Sequence, residues 1–169
     1  DRLYFTCFAG DADAPQDTVA QVTLSVERNR HIVEVTIPYD GGLIRAEEVT
    51  GDMYASIDNV LDKLEKQMRV MQEKHPDIVV CKMKRFNADG STALYPKRIS
   101  EGFISAKDDL FGIGTQTILA RREVLKAEQF FSEMPRYQDL EWIYRVLHRF
   151  TIYCMEEPMV DYYIGADSI

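Results

Sequence analysis

The alternation of apolar and polar positions divides the chain into recognisable elements. From residue 19, Val22, Leu24 and Val26 alternate with polar neighbours, and so do Ile32 or Val33, Val35 and Ile37. Period-two alternation predicts strands with one buried face. Arg28-Asn29-Arg30 supplies a short turn between them, so the pair reads as a hairpin. Asp40-Gly41-Gly42 makes a second turn, and "LIRAEEV" follows as a third strand. The period then changes. Met53, Ile57, Val60/Leu61, Leu64, Met68 and Met71 recur at spacings of three and four, which predicts one amphipathic helix over residues 52–75. Acids early in it (Asp52, Asp58, Asp62) and bases late (Lys66, Arg69, Lys74) suit the helix dipole. His75-Pro76 ends it.

Beyond the proline, "DIVVCKMKRF" reads as a strand, Asn87-Ala88-Asp89-Gly90 as a turn, and "STALY" as the returning partner. Residues 96–113 read as a long loop and "TQTILA" as a short apolar segment. "RREVLKAEQFF" can form a short helix. Pro135 opens a stronger one, about 138–150, with Leu140, Ile143/Tyr144, Leu147 and Phe150 inward and Trp142 and Val146 flanking. "TIYCM" and "MVDYYI" read as two terminal strands separated by Glu156-Glu157-Pro158. The fold class expected is α+β: a three-stranded antiparallel sheet with a packed helix, followed by an α/β half. Residues 9–18 are small, acidic and loop-like. The start, Asp1-Arg2, reads as cut from something longer, with Arg2-Leu3-Tyr4-Phe5 as the tail of an element.

Composition narrows the partners. The chain is 46% hydrophobic and 28% charged, an ordinary globular balance, with a net charge of −8. Such a chain is not built to coat nucleic acid over its whole surface, which leaves room for a local basic face. Cys7, Cys81 and Cys154 are widely spaced, without a CxxC. Cys81 and Cys154 sit in apolar runs and read as buried thiols, which fits a reducing cytoplasm. No stretch reaches the length of a membrane span.

Few residues carry obvious chemistry. There is no G-x-S-x-G, no G-x-x-x-x-G-K-[ST] and no H-E-x-x-H. Asp108-Asp109 reads as a solvated turn, and no metal ligand set is expected. Asp139 lies in the first turn of the helix near 138–150. It is either simple helix-start electrostatics or an ionised general base. Tyr137, Trp142 and Tyr144 could offer a stacking surface for a sugar, although a core role is the better reading of Trp142. Lys63, Lys66 and Arg69 run along one side of the first helix. With Arg45 on the third strand they could contact phosphates, or could simply be solvated.

Two family resemblances lie on these residues. "HIVEVTI", "LIRAEE" and "DMYASID" leading into "DKLEKQ", within residues 19–69, resemble the N-terminal domain of ribosome hibernation promoting factors. That resemblance implies a β-α-β-β-β-α fold and binding to the small ribosomal subunit across its mRNA and tRNA channel. It implies that Arg45, Lys63, Lys66 and Arg69 face ribosomal RNA. The family's first strand and nearly all of its first helix have no counterpart here, and the resemblance implies that "DRLYF" is that helix's last turn. From Lys63 onward, "KLEKQMRVMQEKHPDIVVCKMKRFNADGS", "GTQTILARREVL", "MPRYQDLEWIYRVLHR" and "TIYCMEEPMVDYY" resemble the second half of a family 2 glycosyltransferase of GT-A fold. This implies inverting sugar transfer from a nucleotide sugar to an acceptor glycan. Asp139 would be the base, Thr115, Gln116, Tyr137 and Trp142 would line the acceptor side, and a divalent metal (Mn or Mg) would support the leaving diphosphate. The Asp-x-Asp that grips such a metal is absent, so the half is expected to be incomplete alone. The expected layout is a hibernation-factor-like segment over 1–75 and a glycosyltransferase-like half over 63–169, sharing the helix at 52–75. Glycosyl transfer ranks first, ribosome binding second, and a spliced chain with neither activity third.

Overall fold

The structure, a computed structural model, describes residues 2–6, 19–39, 42–131, 133, 134 and 136–164. The chain divides into two compact units, Asp1–Gln72 and Glu73–Ile169. The division falls in the last turn of the long helix. Cys7, the loop-like residues 9–18, Asp40-Gly41 and Pro135 lie outside the described residues.

The first unit is an antiparallel meander of four strands in the order β1-β2-β3-β4, covered by a helix. Its strands are β1 (Arg2–Thr6), β2 (Val19–Glu27), β3 (Arg30–Tyr39) and β4 (Gly42–Thr50), and its helix is α1 (Met53–Lys74). The fourth strand is the difference from expectation. "RLYFT" is not a helical turn; it pairs with β2 from Arg2↔Thr23 to Thr6↔Val19. Five residues are too few to sustain an isolated helix, whereas β2 offers an unpaired backbone edge. The hairpin register is as the alternation predicts, with Val22↔Val35 and Leu24↔Val33. Arg28 takes a left-handed φ of 57° in its two-residue turn. Of the two phases open on β3, the odd one faces inward. Val33 is 1% exposed and Val35 4%, beside Ala20, Val22, Ile44 and Ala46.

α1 buries Ser56, Val60, Lys63, Leu64, Gln67 and Met71. The apolar pattern places Val60, Leu64 and Met71 correctly, but Leu61 is half exposed. The three buried polar residues bond backbone carbonyls on the strands beneath. Ser56 Oγ donates to His31 O at 2.7 Å, Lys63 Nζ to Glu47 O at 2.7 Å, and Gln67 Nε2 to Arg45 O at 3.1 Å. β4 is an edge strand. Alternate carbonyls of an edge point away from the ladder and need a donor, which Lys63 and Gln67 supply. The helix therefore lies toward β3 and β4. One helix is roughly 10 Å wide and four strands at about 4.8 Å cover nearly twice that. The remainder is an apolar trough of about 240 Å³, with Val22, Leu24, Val35 and Ile37 on its floor and Ile57 and Leu61 on its wall. The helix stops where His75 turns to φ 49°, ahead of Pro76.

The second unit is a five-stranded sheet in the order β6-β5-β9-β7, with β8 also on β5. Its strands are β5 (Ile78–Phe86), β6 (Thr92–Tyr95), β7 (Gly102–Phe103), β8 (Ile118–Ala120) and β9 (Ile152–Tyr163), with short helices α2 (Arg122–Ala127) and α3 (Gln138–Val146). β5 is central: β6 and β8 pair antiparallel along one edge and β9 runs parallel on the other. A buried β-branched run such as "IVV" suits that position. The two expected terminal strands are one. Met155 pairs with Cys81 and Pro158 with Lys82, so Glu156-Glu157 form a bulge, not a break. Residues 96–113 are less of a surface loop than expected. Ile99, Ile104, Leu110 and Ile113 enter one core with Ile78, Val80, Trp142, Ile143 and Ile152. α3 ends at Val146, short of the expected Phe150, and its inner residues are Trp142, Ile143 and Val146.

Lys82 anchors the long segment. Its side chain is 5% exposed, and Nζ donates to Pro96 O at 3.0 Å and Ile99 O at 2.6 Å, with Glu156 at 3.7 Å. Cys154 and Cys81 are buried thiols, as the apolar runs imply. Burial pushes the Cys154 thiol up to about 11, against a smaller lowering from Lys82. Thiolate is the reacting form. At pH 8 only about one Cys154 in a thousand is ionised, by the three-unit gap from about 11. A maleimide should therefore label native Cys154 at least a hundredfold more slowly than the denatured chain. Labelling at the denatured rate, read by peptide mass spectrometry, would show that the strand opens freely.

Candidate functional site

The four cations expected to meet phosphate do not form one surface. Lys63 faces inward. Its side chain is 11% exposed, and besides the Glu47 carbonyl it meets the Glu48 carboxylate at 2.7 Å. The signal was in the spacing: Ser56, Lys63 and Gln67 fall on the same helical face as Val60, Leu64 and Met71. Arg45 lies on the other side of the sheet. Its neighbours Ile44 and Ala46 are buried under α1, so alternation turns Arg45 outward, where it is half exposed and meets Glu34 at 3.1 Å. Arg69 is exposed on the solvent side of α1, and Lys66 is half-buried. Exposed acids share that side, among them Asp58, Asp62 and Glu65.

The residues expected around a sugar also disperse. Trp142 is fully buried, stacks on Phe130 at 4.7 Å and donates its Nε1–H to Glu128 O at 2.8 Å. It is a core residue and offers no ring to a ligand. Asp139 sits in the first turn of α3 and accepts the Leu140 N–H at 3.0 Å, the local role of a helix-start carboxylate. Tyr137 precedes that helix at φ 63° and is exposed. Thr115 and Gln116 belong to a 3-10 turn, Thr115–Thr117, where Gln116 Nε2 contacts Met83 Sδ at 3.2 Å. Among the described residues no hydrogen bond or ion pair joins Asp139 to Thr115, Gln116 or Tyr137. No three His, Cys, Asp or Glu side chains among the described residues converge as a metal site. Asp108 is engaged by Ser105 N–H and Oγ–H, which hold its carboxyl below the usual range, and Asp109 faces Arg98 at 3.4 Å. The divalent ion implied by the glycosyltransferase resemblance finds no donor set there.

A further cluster escaped the sequence reading. Arg145 bridges Glu128 at 2.5 Å and Glu141 at 2.8 Å, and Arg149 also reaches Glu128. The two guanidinium groups hold the Glu128 carboxyl below its usual value. All four charges are satisfied by one another, so this network joins α3 to the segment after α2.

Comparison with known proteins separates the two resemblances. Residues 5–75 match the family described as Sigma 54 modulation protein / S30EA ribosomal protein. A ribosome hibernation promotion factor of Deinococcus radiodurans is 46% identical over 70 residues, which is 38% of this chain and 37% of that protein. One from Picosynechococcus sp. is 43% identical over 63 residues, 34% of this chain and 33% of that protein. The ribosome hibernation promoting factor of Pseudomonas putida is 37% identical over 62 residues, 37% of this chain and 61% of that protein. The chain thus spans between a third and three-fifths of these relatives. No solved structure matches it. No helix among the described residues is long and apolar enough to cross a membrane. The ranking of functions is corrected accordingly. The matched family and these relatives are ribosomal, so the nucleotide-sugar reading gives way to the hibernation-factor reading. The match at residues 5–75 covers nearly the whole of the first unit and the three residues after it.

Proposed function

We propose that this protein binds the small ribosomal subunit through its first unit, in the manner of a cytoplasmic ribosome hibernation factor. The observation that carries the reading is the family match over residues 5–75, together with 46% identity over 70 residues to a hibernation promotion factor. The sheet and α1 form a rigid plate on which exposed cations can meet RNA phosphates. Arg69 and Lys66 on the helix side make one phosphate-facing edge. Arg45 on the opposite sheet face belongs to a second edge, if the outer face docks instead. Lys63 supports the plate from within: its ammonium is taken by Glu47 and Glu48.

Co-sedimentation of the full chain with purified small subunits tests the reading. Binding is expected to be weak and salt-sensitive, because the chain carries −8 overall and one of the four cations expected to meet phosphate, Lys63, is buried. Reversing Lys66 and Arg69 to Glu should weaken binding at least tenfold and lower the log–log salt slope by roughly 1–2, about one ion released per lost phosphate contact. A separate Arg45→Glu variant decides which face docks. Absence of binding at low salt, or retention of both affinity and slope in all three substitutions, would refute the proposal.

A further inference from the structure

Two cations of the second unit, Arg85 and Lys97, meet no carboxylate among the described residues and sit on a face whose geometry is fixed. Arg85 pairs with Tyr162 across β5 and β9, and Met83 pairs with Tyr95 across β5 and β6. Alternation therefore places Arg85, Tyr95 and Tyr162 on one face of the sheet. Arg85 is held twice. Its Nε–H donates to Asn87 Oδ1 at 2.8 Å, and its guanidinium carbon lies 5.5 Å from the Tyr95 ring centroid. Asn87 is itself oriented, since its Nδ2 donates to Ser91 Oγ at 2.9 Å. Ser91 donates through N and Oγ to Asp89 Oδ1 at 2.9 and 2.6 Å. These bonds hold the Asp89 carboxyl below its usual value. Lys97 Nζ stands 5.0 Å from the same Tyr95 ring. Tyr95 is also pinned from the loop side. Gly112 has φ 94°, and a Cβ there would stand 2.6 Å from Tyr95 Cδ1.

Several other guanidinium groups among the described residues meet acids: Arg98 with Asp109, Arg145 with Glu128 and Glu141, Arg45 with Glu34. Arg85 and Lys97 have rings and an amide instead, and no carboxylate among the described residues. With Nε tied to Asn87, the two Nη groups of Arg85 remain as a fork that matches phosphate oxygens. The exposed ring beside it, Tyr162 at 41%, offers stacking area. In a chain of net charge −8, charge left unpaired over aromatic rings suits a polyanion with planar bases.

We propose that this face, built on Arg85, Lys97, Tyr95 and Tyr162, is a binding surface for single-stranded RNA. Arg85 and Lys97 contact phosphodiesters, and the rings, with the guanidinium plane, stack bases without reading their sequence. The surface extends RNA contact to the second unit, and rests on the ribosomal reading only for the source of the RNA.

The test is fluorescence anisotropy of the full chain with a labelled 12-nucleotide oligouridine, over a series of salt concentrations. The Arg85→Gln/Lys97→Gln double variant should bind at least tenfold more weakly, with a log–log salt slope lower by about 1.4, from roughly 0.7 per phosphate on a single strand. Asn87→Ala keeps both charges but releases the guanidinium. It should lose severalfold in affinity with the slope unchanged, an effect that charge alone would not produce. Circular dichroism melts confirm that each variant is folded. No binding by the parent chain at low salt, or equal affinity and slope in the double variant, overturns the proposal. The small-subunit assay separates it from the reading above. Loss of co-sedimentation with intact, Arg85-dependent oligouridine binding defeats only the ribosomal reading. Retained co-sedimentation with Arg85-independent oligouridine binding defeats only this one.

Discussion

Leu64→Asp should unfold the first unit. Leu64 is 3% exposed in the middle of α1, between Val60 and the buried Lys63 and Gln67. Removing the leucine side chain alone costs about 2–5 kcal/mol in a packed core. The replacement also buries a carboxylate for which Lys63 is already engaged by Glu48 and Glu47. That adds several kcal/mol even after relaxation. The total is comparable to the whole stability of a small domain, about 5–15 kcal/mol. Hydrogen exchange read by peptide is the suitable measurement, because it resolves the two units. Peptides from 19–39 and 42–72 should lose protection together in Leu64→Asp, and Leu64→Ala should show a smaller, cooperative loss. Protection unchanged in Leu64→Asp would show that α1 is not packed on this sheet. Small-subunit binding should disappear with the fold, which is why the binding tests use exposed residues.

Lys82→Met should destabilise the second unit by about 2–5 kcal/mol. The substitution keeps an unbranched apolar stem in β5 but removes the donor for two backbone carbonyls, Pro96 and Ile99. A buried acceptor left without a partner costs about 1–3 kcal/mol. The ion pair is the lesser part. Glu156 stands 3.7 Å from Nζ and its side chain is 57% exposed, so solvent screens it. Glu156→Gln should therefore change the denaturation midpoint little, within about 1 kcal/mol. Equal losses in the two variants would assign the stabilisation to charge pairing. A Lys82→Met chain as stable as the parent would mean that residues 96–99 find other donors.

Apolar periodicity legibly encoded the hairpin, the third strand and the helix at 52–75, because each has one wet and one dry face and the alternation records which is which. The hibernation-factor resemblance was legible too, and the family match over residues 5–75 supports it; the glycosyltransferase resemblance and the ranking built on it have no such support. Asp139, Thr115, Gln116, Tyr137 and Trp142 were grouped by the glycosyltransferase resemblance alone, from two separate stretches of the chain. A resemblance of sequence says nothing of direction: Trp142 points into the core and Asp139 bonds its own helix start.

What only the tertiary structure decided is the role of each polar side chain and the partner of each edge. A lysine on an amphipathic helix is ordinarily read as solvated. Lys63 is buried because β4 is an edge strand whose carbonyls need donors, a fact that exists only once the strands are ordered. Lys82 lies in an apolar run for the same reason, donating to carbonyls 14 and 17 residues away. Arg85, Tyr95 and Tyr162 are remote in sequence and share a face through the register of three strands. Hydrophobic periodicity is local and survives in the one-dimensional pattern. Hydrogen-bond satisfaction and charge pairing depend on which strands become neighbours, and that is fixed by packing over the whole unit.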